Sequence, residues 1–170
     1  MRVEDLIEEK KTDIVQTWFQ LVAETYPDDT AHFLKNQKDP FANPVGSNIL
    51  KGLTGLVDHL IKESDSKVIL EFLDPIIRIR AIQKMFTPSQ ATAFIFDLKI
   101  ILRKALKKEI EDMKIKEQLW TFESRIDRLA LTAFDLFMEC REQISELRAN
   151  QERSKVFKAF ERAGLITEIQ

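Results

Sequence analysis

The chain has 170 residues, 44% of them hydrophobic, which suits one core with a tail and is short for two independent domains. Its 26 Lys and Arg stand against 28 Asp and Glu, a formal charge of -2, so there is no electrostatic footprint for a polyanion and nucleic acid is excluded as an expected partner. No apolar run approaches the ~20 residues of a membrane span, Met1–Asp5 lacks the start of a signal peptide, and the lone Cys140 allows no internal disulfide; a cytoplasmic protein is expected.

Val3, Leu6, Ile7, Ile14, Trp18, Leu21 and Val22 recur at helical spacing and predict a first helix over residues 3–25, ended by Tyr26-Pro27-Asp28-Asp29. A short turn over Thr30–Leu34 and a loop over Asn36–Ala42 follow. Four of the prolines sit behind a residue able to cap a helix: Asp39-Pro40, Asn43-Pro44, Asp74-Pro75 and Thr87-Pro88, each offering a side-chain acceptor at the N-cap and a ring at the first helical position. The second helix therefore runs from Pro44 to about Lys62, with Gly52 and Gly55 inside it. Interior glycines cost helix stability, and they mark either a close helix crossing or a cavity.

Asp65 or Ser66 can cap a third helix, reset at Asp74-Pro75 and continuing to about Met85. Thr87-Pro88-Ser89-Gln90 is a capping box and the firmest helix start in the chain; Phe94, Leu98, Ile101, Leu102, Ala105 and Leu106 continue from it. From Ser89 to Ala163 there is neither proline nor glycine, and since these residues cost roughly 3 and 1 kcal/mol inside a helix, the stretch reads as long helices with at most one tight connection. The charged run Lys107–Asp112 supplies the bend. A last helix begins near Lys114 and reaches at least Asn150, on the order of 50 Å at ~1.5 Å per residue.

Within it Leu119, Phe122, Ile126, Leu129, Ala133, Leu136 and Cys140 step alternately by three and four, a heptad seam suited to a core, a partner helix or both. Leu119, Phe122, Ile126, Leu129 and Leu136 are the expected dimer seam. Beyond Leu147 the pattern is polar until Val156, Phe157 and Phe160, a small apolar patch that either folds back on the body or docks on a partner protein. The expected division is a regulatory domain over 1–150 and a helical tail over 151–170.

Enzyme motifs are missing. There is no glycine-rich phosphate loop, no Gly-x-Ser-x-Gly, no His-Glu-x-x-His and no Cys-x-x-Cys, so no catalytic residue is assigned and no metal or cofactor is expected. His32 and His59 are surface or half-buried residues in the simplest reading and the only haem-ligand candidates in the other. Charges inside apolar frames are more suggestive: Arg78 and Arg80 within Ile76–Ile82, Asp97 and Lys99 within Phe94–Ile100, and Arg125, Asp127, Arg128 and Asp135 around Leu129-Ala130-Leu131. A buried charge needs a partner. Either Asp97 or Asp135 pairs with Arg78, Arg80 or Arg128, or arginines among Arg78, Arg80 and Arg128 converge on a small anionic ligand, which guanidinium groups match bidentately, or the charges form a subunit interface.

Three stretches together resemble a known family: Lys38-Asp39-Pro40-Phe41-Ala42-Asn43-Pro44-Val45-Gly46, then Leu73–Gln83 with Phe86-Thr87-Pro88-Ser89-Gln90-Ala91, then Arg125–Asp135. They are similar to the N-terminal domains of the RsbT co-antagonist proteins of the RsbR and RsbRD type, over roughly residues 3–150. The resemblance implies an all-α, globin-like domain with a long C-terminal helix that binds no haem, homodimerises through its terminal helices and serves as the sensory input of a stress-signalling assembly. In that family the last helix leads into a STAS domain. The expected output surface here is Arg141–Phe160, acting on a protein partner. A haem- or ligand-binding globin relative and an adaptor docking on one complex are the competing expectations.

Overall fold

The computed structural model describes residues 1–166. Among them every regular element is helical: α1 Val3–Glu9, α2 Lys11–Glu24, α3 Asp28–Asn36, α4 Pro44–Lys62, α5 Ser66–Ile82, α6 Pro88–Thr92, α7 Phe94–Ala105, a 3-10 turn Glu109–Glu111, and α8 Met113–Arg162. The all-α class with a long final helix is as the periodicity predicts.

Four boundaries differ from expectation, one of them an interruption at Ala93 that divides the helix begun by the capping box into α6 and α7. The first helix is split at Lys10, where φ is -101° and ψ 8°, and the Lys10 ammonium donates to the Ala105 carbonyl at 2.8 Å and to Glu109 at 2.6 Å. A cation is thereby placed at the carbonyl end of α7, where the helix dipole favours it. Thr30–Leu34 lies within helix α3 and is not a mere turn. Pro27 occupies its N-cap, Asp28 and Asp29 its first turn and Lys35 its last, which suits the dipole at both ends, and Ala31 and Leu34 are buried.

The remaining difference concerns proline. Asn43-Pro44 and Thr87-Pro88 do start helices: Asn43 accepts from the Gly46 amide at 2.8 Å, and Thr87 and Gln90 exchange both bonds of the capping box. Asp39-Pro40 lies in a turn, and Pro75 lies inside α5 without resetting it. An interior proline forfeits one helix bond and costs ~3 kcal/mol. Pro75 is exposed, as is Glu71 four residues before it, so the carbonyl left without a partner is within reach of water. Leu73, Ile76 and Ile77 beside it are fully buried, and burying each such side chain contributes ~1.5–3 kcal/mol, enough to offset the loss.

Helix α4 packs on α5, α5 on α8, and α2 lies against both α4 and α7. The two glycines of α4 make the first of these crossings. A Cβ on Gly52 would stand 2.8 Å from the Phe72 carbonyl, and one on Gly55 2.3 Å from the Phe72 ring, so a close crossing is their role. Trp18, Phe94, Phe122 and Phe137 fill the centre, and the Trp18 indole donates to the Phe94 carbonyl at 2.7 Å. No helix is long and apolar enough to cross a membrane among the described residues.

Candidate functional site

The core stripe of α5 contains a charge. Leu73, Ile76, Ile77, Arg80 and Ala81 follow the three-and-four spacing of one helix face and all are buried. Arg80 is 0% exposed. Its guanidinium carbon stands 4.5 Å from the Phe86 ring centre, 4.8 Å from Phe94 and 5.3 Å from Tyr26. Tyr26 and Phe86 meet edge to face at 5.5 Å. Nη2 donates to the Thr25 hydroxyl at 2.8 Å, and Thr25 donates in turn to the Val22 carbonyl at 2.7 Å. Nε and Nη1 have no hydrogen-bond partner, and Arg80 forms no ion pair among the described residues. Ring faces attract the cation, yet burial without a counter-charge lowers the Arg80 pKa from its ordinary value.

Two more polar atoms nearby are buried without partners, the Tyr26 hydroxyl and Gln83 Oε1. Both residues line one cavity of about 220 Å³, whose wall is otherwise mainly apolar, with Phe33, Leu34, Val45 and Ile79. Burial raises the Tyr26 phenol pKa, and the Arg80 charge opposes that shift.

The three arginines taken together in the sequence do not converge. Arg78 sits on the outer face of α5 and holds Asp74 through two bonds, 3.1 and 2.8 Å, one helical turn apart. Arg128 is exposed and lines a separate pocket of about 350 Å³ with His59, Ser64 and Arg125. His59 is buried, its Nδ1 has no partner, and burial lowers its pKa. His32 is exposed, with Nδ1 3.1 Å from the Asn36 amide nitrogen. The two histidines do not meet, and no metal-holding cluster of His, Cys, Asp or Glu occurs among the described residues.

The expected pairing of Asp97 or Asp135 with an arginine is not found. Asp135 is exposed, and Asp97 is half-buried with its carboxyl pKa raised by burial. The partly buried pairs are others: Arg103 grips Glu123 through two bonds of 2.6 Å, and Arg125 bonds the Leu60 carbonyl at 3.0 Å and Glu4 at 3.1 Å while also pairing with Glu63. Lys99 pairs with Asp127 at 2.5 Å and so bridges α7 to α8. Glu123 sits beside Phe122 on the seam face, a position that could have been read from the periodicity.

The seam faces inward. Leu119, Phe122, Ile126, Leu129, Ala133 and Cys140 are buried in the chain's own core and Leu136 packs partly against it, so a second subunit would meet different residues. Asp127, Leu131, Phe134 and Met138 step along another face of α8; Leu131 is 66% exposed, Phe134 and Met138 are exposed too, and Phe96 and Ile100 flank Lys99 on α7. Arg141 ties α8 to the body by donating to the Ala81 carbonyl at 3.2 Å. Beyond it, residues 142–162 are exposed apart from a half-buried Ile144, and α8 passes through Asn150 without a break. Val156, Phe157 and Phe160 do not fold back on the body; they line a shallow groove with Ile166. Gly164, at φ +68°, stops the helix, with the Leu165 amide bonded to the Phe160 carbonyl and the Gly164 amide to Glu161, each at 3.0 Å. Of the expected tail, residues 167–170 lie outside the described residues.

The profile of the family described as "RsbT co-antagonist protein rsbRD N-terminal domain" matches residues 12–152. The chain belongs to that family. In this rsbRD N-terminal domain the matched segment takes in the Arg80 surroundings, the seam and the first part of the free helix, and leaves Val156, Phe157 and Phe160 beyond it. No curated protein and no solved structure matches the chain.

Proposed function

We propose that this rsbRD N-terminal domain is a non-enzymatic sensor and regulatory module of a stressosome-type system, which homodimerises and signals through its C-terminal helix to a partner protein. The observation that carries the reading is that α8 is one helix of 50 residues, the first part embedded in the core and the last part free. A rotation or shift of the embedded part moves the free end as a rigid extension, over roughly 30 Å at ~1.5 Å per residue.

For the dimer we favour the face of Leu131, Phe134 and Met138 together with Phe96 and Ile100. Their exposure on adjacent, ion-paired helices favours a second copy, because a paired α7–α8 face can close on itself about a two-fold axis. For the partner we favour Val156, Phe157 and Phe160, an apolar patch on an amphipathic helix end.

Truncation after Asn150 tests the reading. The shortened chain is expected to keep its helical fold and its dimer, since the removed residues bury nothing in the body, and to lose capture of the partner from lysate of its own host. Loss of the dimer on truncation would contradict it.

A further inference from the structure

Unpartnered polar atoms concentrate at one junction of the fold. Of the six buried side-chain nitrogens and oxygens without a hydrogen-bond partner among the described residues, four lie there: Arg80 Nε and Nη1, the Tyr26 hydroxyl and Gln83 Oε1. All four are shut away from water, and two of them belong to a wholly buried guanidinium that forms no ion pair, a charge held without the compensation that burial requires. Arg80 lies in the last turn of α5 and Gln83 at its C-cap. Phe86, in the connection to α6, lays its ring 4.5 Å from the guanidinium carbon and meets Tyr26 edge to face at 5.5 Å. Residues 80–86 thus close on the α2–α3 turn through ring contacts.

Opening this closure breaks little. The one hydrogen bond from Arg80 goes to the Thr25 hydroxyl at 2.8 Å, and that hydroxyl keeps its own bond to the Val22 carbonyl at 2.7 Å when Arg80 leaves. Three ring contacts of the cation and the burial of Phe86 are lost. Against them, all four unpartnered atoms gain water, and the guanidinium recovers the hydration that burial denies it. Local stability is the cost of such an opening, so α5 opens at its end at lower cost than a helix end without these groups. The segment is also tied to α8. Arg141 donates to the Ala81 carbonyl at 3.2 Å, and no α8 side chain beyond Arg141 bonds to the body among the described residues.

We propose that residues 80–86 form a latch with two states. Closed, they bury Arg80 beneath Phe86 and hold α8 through Arg141; open, they carry Arg80 and Gln83 into water, hydrate the Tyr26 hydroxyl and release α8 where its free part begins. The latch rests on the reading of α8 as the output helix and supplies its regulation, since whatever favours one state sets how firmly the free end is held.

Amide hydrogen exchange of the full chain, read residue by residue by NMR, tests the latch. The end of α7 is the internal standard: it too carries a cation on a final carbonyl, Lys10 on Ala105 at 2.8 Å, but it holds no buried charge without a partner. Relative to unfolded-chain rates, the Ala81 and Ile82 amides are expected to exchange at least roughly tenfold faster than those of Lys104 and Ala105. Arg80→Met, an apolar chain of similar length, is expected to slow Ala81 and Ile82 roughly tenfold and to raise the melting temperature, as replacement of an uncompensated buried charge does. Residues 141–144 of α8 are expected to slow with them. Arg141→Gln, which removes the tie, is expected to speed Ala81 and Ile82 by roughly twofold to tenfold, the worth of one hydrogen bond.

Exchange at Ala81 and Ile82 no faster than at Lys104 and Ala105 overturns the latch, as does exchange that Arg80→Met leaves unchanged. A melting temperature lowered by Arg80→Met also overturns it, because the buried charge is then compensated. Slower exchange at the end of α5 with no change at residues 141–144, or no response to Arg141→Gln, overturns the link to α8. These failures leave the dimer and the partner patch intact. Conversely, a protein that shows the latch but forms no dimer and captures no partner would overturn the sensor reading and leave the two states of α5 standing.

Discussion

From Met113 to Cys140, helix α8 sends Leu119, Phe122, Ile126, Leu129, Ala133 and Phe137 into the core; from Glu142 to Arg162 the same helix buries no side chain. The backbone is continuous across the change, and the propensities are alike, since both parts are rich in Glu, Lys, Arg, Leu and Ala and free of glycine and proline. What separates them is what packs against them: the three-and-four rhythm runs on from Cys140 through Ile144 to Leu147, yet Leu147 is exposed. Helix formation is a local matter here, and burial is decided by the helices α5, α6 and α7 that meet one face of α8. One helix can thus serve as core at one end and as an extended surface at the other.

The largest effect is expected in the embedded part. Phe122→Ala removes a fully buried ring and is expected to cost about 3–5 kcal/mol, read from urea unfolding followed by circular dichroism; a loss as small as that of a tail substitution would break the contrast. Arg103→Met leaves the buried Glu123 carboxylate without its two bonds. About 1–2 kcal/mol is expected in the same assay, a discounted figure because Arg103 is half exposed and the pair is screened on that side.

A smaller effect separates the two parts by pH. His59 lies in the body, against the pocket that Arg125 and Arg128 of α8 help to line. Burial holds its pKa below the ordinary ~6.5, so below that pH the unfolded chain binds the proton more readily than the folded one. The stability contributed by the neutral ring is therefore present above about pH 6.5 and lost as the pH falls toward the depressed folded value. Melting curves between neutral and mildly acid pH should show the decline, and His59→Gln should flatten it. The smallest effect belongs to the tail: serine at Val156, Phe157 and Phe160 is expected to change stability by less than about 0.5 kcal/mol per site while abolishing partner capture.

Much of this was legible in the sequence. The Thr87–Gln90 capping box and Asn43-Pro44 marked true helix starts because their bonds are made within a few residues and depend on nothing distant. Asp74-Pro75 carried the same local signature and misled, since the burial of Leu73, Ile76 and Ile77 is a tertiary effect that a local rule does not contain. The heptad steps mark a seam, and heptad spacing is the same for a core and for a partner helix. Its inward direction became visible only with α5, α6 and α7 packed against it.

The candidate site was legible in part. Arg80 stood out as a charge in an apolar frame, and its position in the core stripe of α5 follows from the helical period. Its surroundings did not follow, because Tyr26, Phe86 and Phe94 come from separate segments and share no spacing rule with it. Arg78, two residues away, points outward for the same periodic reason that Arg80 points inward. In the sequence Tyr26 marks a helix end and Gln83 closes one of the family-like stretches, and neither stands out as a site residue, since an unpartnered buried atom is a property of assembled structure.

The most direct test of the account is the native mass of the full chain, measured for the unaltered protein and for Phe134→Glu and Phe157→Glu side by side. A dimer is expected that Phe134→Glu reduces to a monomer and Phe157→Glu leaves intact, because the first alters the exposed face beside the core and the second only the free end. A monomeric unaltered protein, or a dimer that is lost with Phe157→Glu and survives Phe134→Glu, would contradict it.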